Sequence, residues 1–285
     1  AIILGFIISR VITQPIRELT KAAREVSNGN LDQKVRVRSK DEIGEMGRVF
    51  NEMLVRLDSL IKGRKQMTAD IAHELRTPIT VILGHTEGIH DGVIPPSPEN
   101  LEIIRGEAIR LEKLVNDLRV LALSDAGELE MSKTELDPGE LARQVFDLFE
   151  YQAISRHITL TKSIESGLPR ILADSNRLVQ VLSNLVDNAL RHTPTGGSVE
   201  ITALSPQAGM VEFVITDTGE GIPPDELHKV FDRLYRTDRS RKRDKGGSGL
   251  GLALAKMLVE QHGGTIHAEN AAGHGTRMVI QIPAI

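Results

Sequence analysis

Residues 73–78 read His73-Glu74-Leu75-Arg76-Thr77-Pro78, a histidine followed by an acid and, one helical turn on, by a hydroxyl. An imidazole nitrogen becomes a better nucleophile when a neighbouring carboxylate can accept the proton of the other ring nitrogen. Glu74 is such a neighbour. Thr77 lies about 40° around a helix from His73 and so shares its face, where its hydroxyl could hydrogen-bond a water. The same start, His-Glu-x-x-His, would bind zinc, but the fifth residue is Thr77 and the second ligand is missing.

What the histidine could attack is suggested further along the chain. Asn184 and Asn188 are four residues apart, with Arg191 and His192 following. Asparagine is disfavoured in mid-helix, so two on one face call for a reason. Amide oxygens suit a hard, partly hydrated Mg²⁺ that bridges phosphates. Asp217-Thr218-Gly219-Glu220-Gly221 then closes a β-rich run. A carboxylate at a strand end can accept from an exocyclic amine, and Gly219 and Gly221 let the backbone approach a ring, although such a turn is common. Gly246-Gly247-Ser248-Gly249-Leu250-Gly251 leads into an amphipathic stretch. Glycine amides at a helix N-terminus form a phosphate site. No Gly-Lys-Ser/Thr follows, so this is not a P-loop, and Gly-x-Gly-x-x-Gly fails because position 252 is Leu. Between these loops lie Phe231-Asp232-Arg233-Leu234-Tyr235-Arg236 and a basic run from Arg239 to Lys245. A charge run is usually a solvated face, but here it could bring cations to a triphosphate as a lid.

The elements that must position these groups follow from periodicity. Ile12, Ile16, Leu19, Ala23 and Val26 form a heptad seam that Asn28-Gly29-Asn30 stops. A connector with Leu31, Val35 and Val37 precedes a second seam: Ile43, Met46, Phe50, Met53, Leu57, Leu60. The helix continues from Gly63 with Met67, Ile71, Leu75, Pro78, Ile82 and Ile89 on one face, a spacing with a stutter at the histidine. His73 lies on the opposite face, toward solvent. After a turn at Asp91-Gly92 and Pro95-Pro96-Ser97-Pro98, a second helix carries Leu101, Ile104, Ala108, Leu111, Val115, Leu118 and Leu121. One hairpin buries two seams poorly, so pairing into a dimeric four-helix bundle is expected. Beyond Gly127, β-rich runs at 158–164, 199–204, 211–216, 265–268 and 277–282 alternate with helical segments at 138–155, 175–192 and 250–262. That pattern predicts an α/β sandwich with helices on one face of a mixed sheet.

Composition sets the outer limits. The 285 residues suit two or three domains. With net charge −4 and 3% aromatics, nothing points to nucleic acid. The absence of cysteine excludes disulfides, thiolate zinc sites and thiol nucleophiles. Residues 1–9 are almost wholly apolar and Arg10 follows. That run is too short to span a bilayer alone and, without Met or a basic leader, does not read as a signal peptide. It reads as the cut end of a transmembrane helix with Arg10 and Arg17 on the cytoplasmic side, which would leave a sensor region outside this sequence.

The ordered set of motifs resembles the sensor histidine kinases of two-component systems, over nearly the whole chain. Pro15, the connector and Asp41-Glu42-Ile43-Gly44 are similar to a HAMP relay domain. The resemblance implies a membrane-helix end at 1–10, a HAMP domain at 11–62, a dimerisation and phosphotransfer hairpin at 63–124, and a Bergerat-type ATP-binding domain at 125–285. It implies that His73 takes the γ-phosphoryl of Mg-ATP and passes it to an aspartate of a response regulator. Asn188 would ligate Mg²⁺, Asn184 and Arg191 would line the phosphates with His192 beside them, and Asp217 would bind the adenine amine. Gly219, Gly221, Gly247, Gly249, Leu250 and Gly251 would form the nucleotide loops. The implied setting is a homodimer at the bacterial inner membrane, with this part on the cytoplasmic side. Kinases with Glu and Thr at the positions of Glu74 and Thr77 are often also phosphatases. The stretch after the hairpin and the lid loosely resemble envelope-stress sensor kinases. Two other readings stand beside this one. An ATPase of the gyrase, Hsp90 and MutL superfamily would have a general-base Glu where Asn184 stands. A nucleotide-binding pseudo-kinase scaffold would lack one of the motifs.

Overall fold

The computed structural model describes residues 13–37, 39, 41–235, 249–271 and 273–285. The expected membrane-helix end at 1–10, the basic run from Arg239 to Lys245 and Gly247 lie outside them. Among the described residues no helix is long and apolar enough to cross a membrane. The chain divides into two compact units, residues 1–71 and 72–285.

In the first unit, α1 spans Gln14–Ser27 and α2 begins at Glu42, running as one helix to His90. Pro15 stands in the first turn of α1, where its missing N–H costs nothing. Asp41 Oδ1 accepts from Gly44 N at 3.0 Å and caps α2. Gly44 has no substitute here, because any Cβ would overlap the carbonyl oxygen of Ser39. Asn51 then holds the connector: its Oδ1 accepts from Val35 N at 3.0 Å and its Nδ2 donates to Val35 O at 2.9 Å. This unit buries Leu19, Ala22 and Leu54. The seam read from the heptads is covered in part: Leu19 is buried and Val26, Ile43, Phe50 and Leu57 are half-buried, whereas Ile16, Ala23, Met46, Met53 and Leu60 are exposed on the single chain. A lone chain thus covers only part of the heptad stripe.

In the second unit, α2 passes through Pro78 without interruption and α3 spans Pro98–Asp125. Met67, Ile71, Leu75, Pro78, Ile82 and Ile89 are all buried or half-buried, the face that the spacing predicts. The seam of α3 shifts. Ala108 and Val115 are exposed, while Leu114, Asp117, Val120 and Leu121 are buried. The reason is tertiary. The lower half of α3 packs against α6 (Gly251–Gln261), so its covered stripe turns toward the following domain.

That domain runs β1 (Thr134–Leu136), α4 (Pro138–Ser155), β2 (Thr159–Ile164), β3 (Ile171–Ala173), α5 (Ser175–His192), β4 (Ser198–Leu204), β5 (Met210–Asp217), α6, β6 (Thr265–Asn270) and β7 (Thr276–Pro283). The main sheet has the order β2-β4-β5-β7-β6, with β2 parallel to β4 and the other pairs antiparallel. Strands β1 and β3, which periodicity does not reveal, pair as a separate antiparallel ribbon. The α4, α5 and α6 helices pack on one face. Val199, Ile201, Phe213, Ile215, Ile280 and Ile282 point into that core with Leu178, Leu182, Leu185, Leu254 and Leu258. On the other face Glu212, Arg277, Gln281 and Glu269 form a polar ladder, as expected of an antiparallel sheet with one wet side.

Candidate active site

His73 stands exposed on α2, on the face away from the Ile71, Leu75 and Pro78 stripe. Thr77 Oγ1 donates to the His73 carbonyl at 3.3 Å, a long bond one helical turn from the histidine. Glu74 is half-buried beneath, with Arg110 of α3 at 4.0 Å; Arg110 also approaches Glu107 at 3.7 Å. The acid beside the histidine is thus held between the two helices of the hairpin.

A second group of residues gathers at the C-terminal end of β5. Asp217 is buried, and its Oδ1 accepts from Gly219 N at 2.8 Å and Thr276 N at 3.1 Å. Burial pushes its carboxyl up, and the two N–H donors oppose that shift. Gly219 is tight: a Cβ there would lie 2.7 Å from His192 O, so His192 enters this region through its backbone. At Gly221 φ is +72°, and the next residue is bracketed by Asn270, whose Nδ2 donates to Ile222 O at 2.8 Å and whose Oδ1 accepts from Ile222 N at 3.0 Å. Gly275 has φ +108°, and any Cβ there would overlap Asp217 O.

The α5 helix supplies one wall. Asn184, Asp187, Asn188 and Arg191 fall within about 100° of one another on it. Asn184 is buried and its Nδ2 donates to Gly251 O at 3.3 Å, tying α5 to the start of α6. Asn188 and Arg191 are half-buried on the same side. Ser97, Asp137 and Asp174 cap α3, α4 and α5 with side-chain oxygens, whereas among the described residues no side chain caps α6. A helix start of this kind attracts an anion. Gly249 has φ +67°, and its carbonyl accepts from Leu234 N at 2.9 Å. Leu250 has its side chain in the core, so only its backbone can face a ligand. Gly251 opens the helix beside Asn184.

Several contributors carry no label in the sequence. Thr276, Gly275 and Asn270 complete the Asp217 pocket; Gly273-His274-Gly275-Thr276 is the one signal that could have marked them. Asp187 accepts Arg191 at 2.8 Å and faces Lys113 of α3 at 3.8 Å. Asp125 at the end of α3 holds Arg233 in a two-pronged ion pair at 2.6 Å. The two links to α3 join residues 74 and 108 positions apart, a range over which spacing carries no information.

Comparison with known proteins follows the same order. Residues 7–59 match the HAMP domain and residues 63–127 the His Kinase A (phospho-acceptor) domain. Residues 173–285 match the histidine kinase-, DNA gyrase B- and HSP90-like ATPases. The signal transduction histidine-protein kinase BaeS of Escherichia coli K12 is 35% identical over 278 residues, which cover 98% of this chain and 59% of BaeS. The chain thus spans about three fifths of that relative. The structure of histidine kinase ThkA in complex with response regulator protein TrrA has a TM-score of 0.62 at 27% identity, covering 81% of this chain and 66% of that one. Full-length ShkA in complex with AMPPNP gives 0.58 at 30% identity, over 77% of this chain and 46% of that one. With three domain families in register with an exposed histidine, a buried strand-end aspartate and a glycine-led helix start, the chain belongs to the sensor histidine kinases of two-component systems.

Proposed function

We propose that the chain autophosphorylates His73 from Mg-ATP and passes the phosphoryl group to an aspartate of a response regulator. One observation carries the reading. The exposed His73, the buried Asp217 and the Asn184–Gly251 junction all belong to one compact unit. Adenine would be read by Asp217, and its burial would strengthen a hydrogen bond from an exocyclic amine. The triphosphate would lie along the start of α6, where the glycines admit it, with Asn184 and Arg191 beside it. Asn188 fits Mg²⁺ as an amide oxygen donor on that wall; among the described residues no cluster of His, Asp or Glu offers an alternative cation site. A bound Mg²⁺ would neutralise charge on the phosphates. In the transfer, a His73 ring nitrogen bonds to the γ-phosphorus as the bond to the bridging oxygen of ADP breaks. Glu74 accepts the proton of the other ring nitrogen. Positioning and charge neutralisation supply most of the acceleration.

The ShkA complex with AMPPNP supports a nucleotide site, and the ThkA–TrrA complex supports a regulator partner. The uncovered seam of Ile16, Met46, Met53 and Leu60 supports homodimerisation. We assign the relay domain to 11–62, the phosphotransfer hairpin to 63–124 and the ATP-binding domain to 125–285. Attachment to the bacterial inner membrane through residues 1–10 and phosphatase activity toward the regulator belong to the same proposal.

The test is incubation with labelled Mg-ATP. The chain should acquire acid-labile, base-stable phosphate, and His73→Gln should abolish it while nucleotide binding stays intact. Label persisting on His73→Gln would remove His73 as acceptor. Nucleotide binding without any label on the wild type would favour a scaffold instead.

A further inference from the structure

The wall that would face the triphosphate contains a carboxylate. Asp187 lies on the same side of α5 as Asn188 and Arg191, with its side chain only 18% exposed. A negative charge there opposes a polyphosphate. It also competes for the cation the phosphates need, since Arg191 Nη2 sits 2.8 Å from Asp187 Oδ2. The hairpin supplies a counterweight. Lys113, on α3, reaches the same Oδ2 atom at 3.8 Å. Lys113 starts from an anchored stretch of backbone, since Leu114 and Asp117 are buried and Asp117 bonds to Gln180 of α5; the Lys113 charge also acts on Asp117. One carboxylate is therefore shared between a cation of the nucleotide wall and a cation of the helix pair that bears His73.

We propose that Lys113 is a positioning residue for the triphosphate: by taking a share of Asp187, it lets Arg191 turn its guanidinium toward the phosphates. Nucleotide-phosphate affinity then depends on how α3 is docked. When α3 shifts away, Asp187 draws Arg191 back and the wall becomes less cationic. The proposal rests on the reading of Arg191 as a phosphate ligand. It adds a route by which the hairpin tunes the nucleotide site without touching the nucleotide.

The test uses the full chain and compares affinities for Mg-ATP and for adenosine, which lacks phosphates. Lys113→Met should weaken Mg-ATP by about two- to fivefold, the range a partly exposed ion pair carries, while adenosine binding stays the same. Lys113→Arg should restore the ratio. Asp187→Asn should tighten Mg-ATP and make Lys113→Met silent in the ratio of the two affinities, because the carboxylate that Lys113 shares with Arg191 is gone, and Asp117, the other carboxylate on which the Lys113 charge acts, bonds to Gln180. High salt should shrink the Lys113 effect. Equal losses for ATP and adenosine in Lys113→Met would mean damage to packing and overturn the proposal. So would an unchanged ratio, or an Asp187→Asn variant that still responds to Lys113→Met. A wild-type chain that binds no Mg-ATP would instead sink the underlying kinase reading, so the two failures are distinguishable.

Discussion

The Oδ1 atom of Asp217, at the end of β5, accepts the backbone N–H of Thr276, at the start of β7, at 3.1 Å. The same oxygen accepts from Gly219 N at 2.8 Å. One buried oxygen thus fixes both the loop after β5 and the first residue of the neighbouring strand. A side chain held this firmly is suited to recognise a rigid ring, since its orientation costs no further entropy on binding.

Asp217→Asn separates recognition from stability. In the fold, burial pushes the Asp217 carboxyl above its ordinary 3.8, so its ionised form is disfavoured there. Such a group lowers stability as pH rises from 3.8 through its folded value. An asparagine can accept the same two N–H bonds without carrying charge. The variant should therefore melt at the same temperature as wild type or higher at about pH 7. Its binding of Mg-ATP should nevertheless fall sharply, because the amide can offer an NH₂ where an acceptor is needed. Calorimetric melting and nucleotide titration, run side by side, check both halves.

Gly275→Ala should unfold the catalytic domain more readily. The residue has φ +108°, and a methyl group would overlap Asp217 O. Strain and overpacking together predict a loss of roughly 2–4 kcal/mol. Gly273, at φ +102°, has nothing within 4 Å of the place a methyl group would take, so Gly273→Ala should carry the backbone strain alone. Denaturant midpoints for the two variants should differ, with Gly275→Ala the lower.

His262 should make stability fall on mild acidification. Its Nδ1–H donates to Leu258 O at 2.7 Å and its Nε2 accepts from Asp174 N at 3.0 Å, an arrangement that requires neutral imidazole. Burial pushes it below its ordinary 6.5. With the folded value depressed, the unfolded chain takes up its proton first as pH drops through 6.5, and stability declines from there until the folded value is reached. The slope is at most about 1.4 kcal/mol per pH unit for one proton. Glutamine can accept from Asp174 N without titrating. A plot of melting temperature from about pH 7.5 to 5.5 should be shallower for His262→Gln than for wild type.

Thr77 should matter for removing phosphate rather than adding it. Its hydroxyl shares the His73 face and donates a 3.3 Å bond to the His73 carbonyl. It is too weakly basic to take a proton but can orient a water, which is enough for an acyl phosphate that is already reactive. Thr77→Ala should keep phosphorylation of His73 and lose most dephosphorylation of the regulator, while Thr77→Ser restores it. Equal phosphatase rates in wild type and Thr77→Ala would leave the residue only its packing role before Pro78.

The limits of α4 and α5 are legible in the residues themselves, at Pro138–Ser155 and Ser175–His192. Each opens after an aspartate that caps it, Asp137 or Asp174, so the start signals are local. The exposure of His73 opposite the apolar stripe of its helix and the positive-φ turns at Gly221 and Gly249 are local in the same way, because they depend on residue types a few positions apart. What depends on distant partners is not legible. Strands β1 and β3 have three residues each, too few to show a period, and exist because Leu136 and Ile171 pair across the chain. Spacing puts Ala108 and Val115 in the seam of α3 beside Leu121, because it reports that a helix is amphipathic and not which neighbour claims its stripe; Leu121 is buried as expected, but Leu114, Asp117 and Val120 take the places of Ala108 and Val115 where α3 packs on α6. Charges are the extreme case. Lys113, Asp187, Asp125 and Arg233 look like ordinary solvated residues, and only the tertiary fold, by bringing α3 against α5 and the Arg233 segment, makes them partners.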